Sequence, residues 1–170
     1  MIRSALPGDA ERLRDIYAYY VENTAVTYID RVPSTEKFAR LIEQTLRRYP
    51  FLVLEEAGVV MGYCHASPFV DHPAFDHCCT LTIYLDHTAR RRGYGRRLYG
   101  EMEKAFSAMG ITNLYACLGD PAEADDPRLT RDSEQFHKRL GFSRVGTMHR
   151  CGRKFGRVYN AVWTEKLLEV

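Results

Sequence analysis

The densest run of chemically suggestive residues is Arg90-Arg91-Arg92-Gly93-Tyr94-Gly95-Arg96-Arg97, five arginines around two glycines. Glycine at a strand-to-helix junction lets the backbone turn so that successive amide N–H groups point outward, and a helix start adds partial positive charge. Together they make a cradle for a diphosphate. Position 98 is Leu, so the dinucleotide pattern G-x-G-x-x-G is broken, and the Lys and Ser/Thr of a Walker loop are missing. The expected ligand is a nucleotide-bearing molecule other than NAD or ATP. The competing readings are a solvated helix start and a nucleic-acid patch. The formal net charge of +2 argues against the patch.

The flanking pattern supplies what such a loop needs. Cys78 to Asp86 reads as a strongly apolar strand, and Leu98, Met102, Ala105, Phe106 and Met109 mark an amphipathic helix closed by Gly110. Upstream, Met1 to Leu6 reads as a short strand. Leu13, Ile16, Tyr17, Tyr20 and Val21 recur on one helical face, and a second helix after Pro33-Ser34 puts Phe38, Leu41, Ile42 and Leu46 on one side. Two β-rich runs, Phe51 to Glu56 and Val59 to Ser67, flank the tight turn Ala57-Gly58. Downstream, a strand from Asn113 to Leu118 precedes an acidic surface loop from Gly119 to Arg131. A short helix then runs to Leu140, and strands from Ser143 to Arg150 and Val158 to Leu168 close the chain. Helices embedded among strands predict an α/β fold, with one layer of sheet between two of helix.

Composition narrows the class. The 170 residues fit one domain, 1–170, and hydrophobic and charged shares of 45% and 27% are those of a globular chain. No apolar run approaches the roughly 20 residues of a membrane span, and no secretory signal follows Arg3. The 5 Cys form no paired framework, which points to a reducing cytoplasm. Asp76-His77-Cys78-Cys79 is an unpromising metal site, because consecutive residues on a strand face opposite ways. No metal is expected.

The chain resembles the GCN5-related N-acetyltransferase (GNAT) superfamily, and within it the phosphinothricin acetyltransferase-like group. The resemblance rests on Thr80-Leu81-Thr82-Ile83-Tyr84-Leu85, Arg90-x-x-Gly93-x-Gly95, Ser133-x-x-Phe136-His137-x-x-Leu140-Gly141-Phe142 and Tyr159-Asn160-Ala161-Val162-Trp163. It implies a GNAT fold whose central mixed sheet splays at an acetyl-CoA site, with helices on both faces. Ile83, Tyr84 and Leu85 would pair with the pantetheine arm. The amides from Arg91 to Arg96 (Arg91, Arg92, Gly93, Tyr94, Gly95, Arg96), flanked by Arg90, would hold the pyrophosphate. Ser133 sits where a small polar residue lies near the pantetheine, and also reads as a helix cap.

The resemblance also places His137 where a proton-handling side chain is expected, and an imidazole can give or take a proton at pH 7. Thr80 stands where the group carries a Glu and cannot act as a base there. Asp76, His77 or a water chain are the substitutes. An α-amino group of pKa about 7.7–8.0 is roughly a tenth neutral at pH 7, against about one in 2,500 for a lysine-like amine. A weak base therefore favours an α-amino or other low-pKa acceptor. Tyr28, Asp76, the loop from Phe69 and the final hairpin would bound the acceptor pocket. That loop lacks the basic residues suited to phosphinothricin itself. The implied function is acetyl transfer from acetyl-CoA to a small-molecule amine by a cytoplasmic homodimer, without nucleic-acid or membrane partners. The alternatives are a peptide or protein N-terminal acetyltransferase and a non-catalytic acyl-CoA-binding module.

Overall fold

The computed structural model describes residues 1–89, 91–123 and 126–169; Arg90 of the arginine run and Ala124 and Asp125 of the acidic stretch lie outside them. Seven strands among the described residues form one sheet. Their order is β1 (Ile2–Ser4), β2 (Phe51–Glu56), β3 (Val59–Pro68), β4 (Cys78–Leu85), β5 (Asn113–Pro121), β7 (Arg157–Leu167) and β6 (Ser143–Lys154). Helices α1 (Ala10–Asn23) and α2 (Thr35–Leu46) bury Leu13, Ile16, Phe38 and Ile42 against Phe51, Val53 and Tyr63 on one face. On the other face, α3 (Tyr94–Met109) packs Leu98, Tyr99, Met102 and Phe106 on Leu54, Cys64, Leu81 and Leu114, and α4 (Asp132–Arg139) adds Phe136 beside them. The two layers of helix on a mixed sheet are as expected.

The sheet is antiparallel except between β4 and β5, and that parallel ladder is short. Only Cys78–Thr80 pair with Asn113–Tyr115. Beyond them each strand is zipped to its outer neighbour, β4 to β3 as far as Leu85 and β5 to β7 as far as Pro121. The two strands are held apart by their own partners, and the gap between them is a cleft. Alternation decides which backbone groups look into it. Asp86 N–H donates to Met61 C=O on the β3 side, and Asn113 N–H to His77 C=O on the β5 side. By alternation Leu81, Ile83 and Leu85 turn their backbone groups towards β5, and Thr82 and Tyr84 turn theirs to β3. The Leu81 amide closes the last rung of the ladder on Tyr115, so the Leu81 carbonyl, both groups of Ile83 and the Leu85 amide face the cleft.

Several boundaries differ from the sequence pattern. Strand β1 is only three residues, and Leu41 and Leu46 are exposed while Thr45 turns inward on α2. The apolar period placed the α2 face one step off, because Leu41 and Leu46 flank the true stripe of Phe38, Ile42 and Thr45. Strand β5 continues to Pro121, into what reads as loop, since pairing with β7 runs on through Asp120 and Asn160. Arg131 Nε and Asn160 Nδ2 donate to the buried Asp120 carboxylate at 3.0 and 3.1 Å. Leu129 is buried as well, so the acidic stretch is anchored at both ends.

Candidate active site

The cleft is lined by Leu81, Thr82, Ile83 and Tyr84 of β4 and by Cys117, Leu118 and Gly119 of β5. Tyr99 of α3, Ser133 and His137 of α4, and Val26 and Leu129 from connecting segments complete it. Ile83, Tyr84, Ser133 and His137 are thus brought together, but Tyr84 does not offer the backbone pairing expected of it, because its amide and carbonyl face β3. Leu85 follows directly on β4 with its carbonyl accepting from Tyr20 O–H at 2.6 Å.

The arginine–glycine loop follows at the end of β4, and Asp86 sets its path. The Asp86 carboxylate accepts from Arg12 Nη2 at 2.5 Å and from Thr88 O–H and N–H at 2.6 and 2.9 Å. Burial opposes the charge, but the Thr88 donors and the Arg12 guanidinium outweigh it and bring the carboxyl down to about 2. Gly93 then caps α3 at φ 77°, a left-handed conformation that favours glycine, and Arg91 shares that region at φ 62°. Arg97 N–H is the first in this turn to find a helical acceptor, the Gly93 carbonyl at 3.1 Å. The amides of Tyr94, Gly95 and Arg96 before it have no intrahelical acceptor. Glu56 of β2 accepts from Tyr94 O–H and from Arg92 Nη1, which pins the loop to the sheet. The cleft-facing groups of β4 are followed along the chain by the free amides at the start of α3, the first suited to a pantetheine-like arm and the second to a diphosphate.

His137 is 2% exposed, and both ring nitrogens are engaged. Nδ1 lies 2.8 Å from the Ser133 carbonyl, which can only accept, so Nδ1 carries the hydrogen. Nε2 therefore holds the lone pair and receives the Tyr99 hydroxyl at 2.8 Å. Burial lowers the imidazole pKa, with the Ser133 carbonyl partly opposing it. Tyr99 was not singled out by periodicity, because a tyrosine among Leu98, Met102 and Phe106 reads as core. Its partner lies 38 positions away.

The remaining predicted residues sit around the cleft rather than in it. Thr80 is the last residue of the β4–β5 ladder, at the apex of the splay, and pairs with Ser67 on β3. Tyr28 packs between Gly119 and Gly152 and donates to the Asn160 carbonyl, so it buttresses the cleft wall. Asp76 is exposed and ion-paired to Arg48 at 2.6 Å, away from the lining residues. Cys79 is a buried thiol pushed up to about 12 by burial, the opposite of an activated thiolate. Sequence reading also missed Lys154. Its buried ammonium donates to the carbonyls of Thr24 and Thr27 at 2.7 and 2.8 Å and so ties the segment carrying Val26 to β6.

A second histidine, His65 on β3, is held near pKa 4 by burial. A neutral buried histidine stabilises the fold fully above its unfolded pKa of about 6.5, and that contribution is lost as pH falls towards the folded value. Between pH 6.5 and 4 the unfolded chain binds the proton first. The loss for His65 is about 3 kcal/mol, and His137 adds to it in the same direction. Urea unfolding is expected to show this decline on acidification, and His65→Phe to remove about 3 kcal/mol of it; an unchanged pH slope in that variant would refute the assignment.

Residues 2–163 match the model of the acetyltransferase (GNAT) domain family. The chain is 32% identical over 155 residues to a phosphinothricin N-acetyltransferase of Streptomyces viridochromogenes, covering 91% of this chain and 80% of that relative. A phosphinothricin acetyltransferase of Sinorhizobium meliloti, solved in complex with acetyl-CoA, superposes with a TM-score of 0.88 at 29% identity, over 99% of this chain and 88% of the other. A ribosomal-protein-alanine N-acetyltransferase of Brucella melitensis gives 0.88 at 30% identity, over 99% of both chains. The splayed β4–β5 pair, the glycine-capped start of α3 and the match over nearly the whole chain agree: this protein belongs to the GNAT family of N-acetyltransferases.

Proposed function

We propose that the protein transfers the acetyl group of acetyl-CoA to the amino group of a small molecule, an amino acid or amino-acid analogue. The observation that carries this reading is the edge of β4 beyond the ladder, where the Leu81 carbonyl, both backbone groups of Ile83 and the Leu85 amide are offered to an extended arm that leads to the α3 amides. Acetyl-CoA supplies the activated thioester. Ile83 and Leu85 bind its pantetheine amides as an added strand would, while the side chain of Tyr84 walls the other side of β4. The amides from Gly93 to Arg96, with Arg91 and Arg92 nearby, receive the pyrophosphate. Ser133 holds the tautomer of His137.

In the transfer, the amine nitrogen bonds to the carbonyl carbon and the C–S bond breaks with its electron pair passing to sulfur. The proton shed by the amine goes to Nε2 of His137 as the Tyr99 hydroxyl turns towards the departing sulfur, and the imidazolium returns a proton to the thiolate. Its lowered pKa keeps His137 neutral and ready to accept at pH 7. Thr80, at the apex, supplies no base, which favours acceptors with a low pKa. An amino-acid-analogue acceptor also agrees with the likeness to phosphinothricin N-acetyltransferases. The likeness to the Brucella enzyme supports a second reading, the N-terminal amine of a protein, which shares that low pKa.

Thiol release from acetyl-CoA with a panel of free amino acids, a peptide beginning with alanine, lysine side-chain analogues and polyamines tests the choice. The expected order puts α-amino acids first. Polyamines or lysine analogues at the head of the panel would sink the low-pKa argument, and tight CoA binding without turnover on any amine would favour a binding module. A homodimer is supported by Val145 and Met148, exposed on the edge strand β6. The buried free thiols of Cys64, Cys78 and Cys79 suit a reducing cytoplasm.

A further inference from the structure

The reading of the cleft as an acetyl-transfer site leaves open how the acceptor amine is received. The amine must approach the thioester carbon from one of the two faces of the sheet. The α3 face is closed, because Cys79, Leu81, Leu114 and Ala116 point into it and are at most 4% exposed. On the opposite face Thr80, Thr82, Cys117 and Trp163 are partly or fully open to solvent. Phe69 stacks on Tyr115 there at 4.1 Å between ring centroids and meets Trp163 edge-on at 5.9 Å, so an aromatic wall stands on the β5–β7 side. On the β3 side the cross-strand partners of Thr82 and Thr80 are His65 and Ser67.

His65 is the unusual member of this surface. Its ring stacks on Phe51 at 4.8 Å and lies nearly parallel to Tyr63, as an apolar core ring would, yet its Nδ1 is buried without a hydrogen-bond partner. A phenylalanine would fill that space with no orphaned nitrogen. The residue is nevertheless only partly buried, and it stands beside Thr82, a residue of the cleft lining. We propose that His65 accepts through Nε2, the ring nitrogen that is not buried, a hydrogen bond from the acceptor's amino group and orients the amine's lone pair towards the thioester carbon.

The inference rests on the transferase reading and gives that site an amine-receiving residue. Thr80, the diagonal neighbour of His65 on the same face, offers only a hydroxyl at the place where the related group has a carboxylate. A histidine kept neutral through the physiological range always presents a lone pair. The aromatic wall opposite suits an acceptor whose side chain is apolar or aromatic rather than anionic.

The test compares the wild type with His65→Phe and His65→Gln, measuring melting temperature, acetyl-CoA KM and kcat/KM for the best amine of the panel. His65→Phe is expected to melt no lower than the wild type and to keep acetyl-CoA KM within about twofold. Its kcat/KM for the amine should fall about tenfold or more, the loss of one hydrogen bond. His65→Gln, which keeps an acceptor, should retain more of that activity than His65→Phe. Unchanged kcat/KM in His65→Phe overturns the proposal and leaves His65 a packing residue. If His65→Phe melts lower, the comparison with His65→Gln decides, and equal losses in both overturn it. A wild type that binds acetyl-CoA but acetylates no amine overturns the transferase reading itself, before any variant is compared.

Discussion

Gly95→Val is expected to weaken acetyl-CoA binding about 100-fold and to lower the melting temperature by several degrees. A Cβ at position 95 would lie 2.7 and 2.9 Å from Phe136 Cζ and Cε2, closer than side chains approach. Phe136 stacks on Tyr99 at 5.7 Å and meets His137 edge-on at 5.2 Å. A valine therefore pushes α4 away from α3 and disturbs the Tyr99–His137 pair as well as the phosphate cradle. Overpacking of this kind costs about 1–3 kcal/mol, or roughly 3–10 °C for a chain of this size. Losing two charge-assisted amide contacts accounts for about a 100-fold fall in affinity. Gly93→Ala is the contrast, because a Cβ there meets nothing within 4 Å and the substitution bears only the strain of φ 77°. Calorimetric titration with CoA and thermal melting of both variants make the comparison. Wild-type affinity in Gly95→Val would remove the packing account of this glycine.

The second large effect is expected at His137. His137→Ala should lower kcat by about 10²–10⁴, the range for a proton-transfer group, with acetyl-CoA affinity within about threefold. Because the side chain is buried, alanine also leaves a cavity and strips the Tyr99 hydroxyl and Ser133 carbonyl of their partner. His137→Phe separates the two contributions, since it restores volume without the nitrogens. If catalysis depends on the imidazole, His137→Phe stays as slow as His137→Ala while melting higher. Recovery of kcat in His137→Phe would reduce His137 to packing. Tyr99→Phe probes the same pair from the other side and should cost less, about tenfold in kcat, because Nε2 remains available.

Much of this site was legible before any coordinates. The glycines and arginines between β4 and α3 are contiguous, and a cradle built from one stretch of backbone depends on local conformation alone. His137 and Ser133 stand one helical turn apart on α4, again a local relation. What went unread are relations across the chain. Tyr99 is polar only at its tip and sits in an apolar stripe, so its bond to His137 left no trace in the periodicity of α3. Lys154 reads as a hairpin charge until its ammonium is found buried on the carbonyls of Thr24 and Thr27. Tyr28 is expected beside the acceptor pocket from its neighbourhood in sequence, but only the fold shows that the glycines at 119 and 152, far apart in the chain, make room for its ring next to the cleft.

From the sequence alone came the alternation of strands and helices, the glycine–arginine junction between β4 and α3, the family and the threonine at position 80. Each depends on residue type, spacing or order along the chain, which tertiary contacts do not alter. Only the tertiary structure decided where β4 and β5 part, which β4 amides face the gap, and which face of the sheet α3 closes. Those outcomes depend on pairing registers and on which face the core closes, and both are set by contacts between segments far apart in the sequence. His65 shows the difference most plainly. In sequence it is one polar residue in an apolar strand, whereas in the folded sheet it is the partner of Thr82 beside the open cleft.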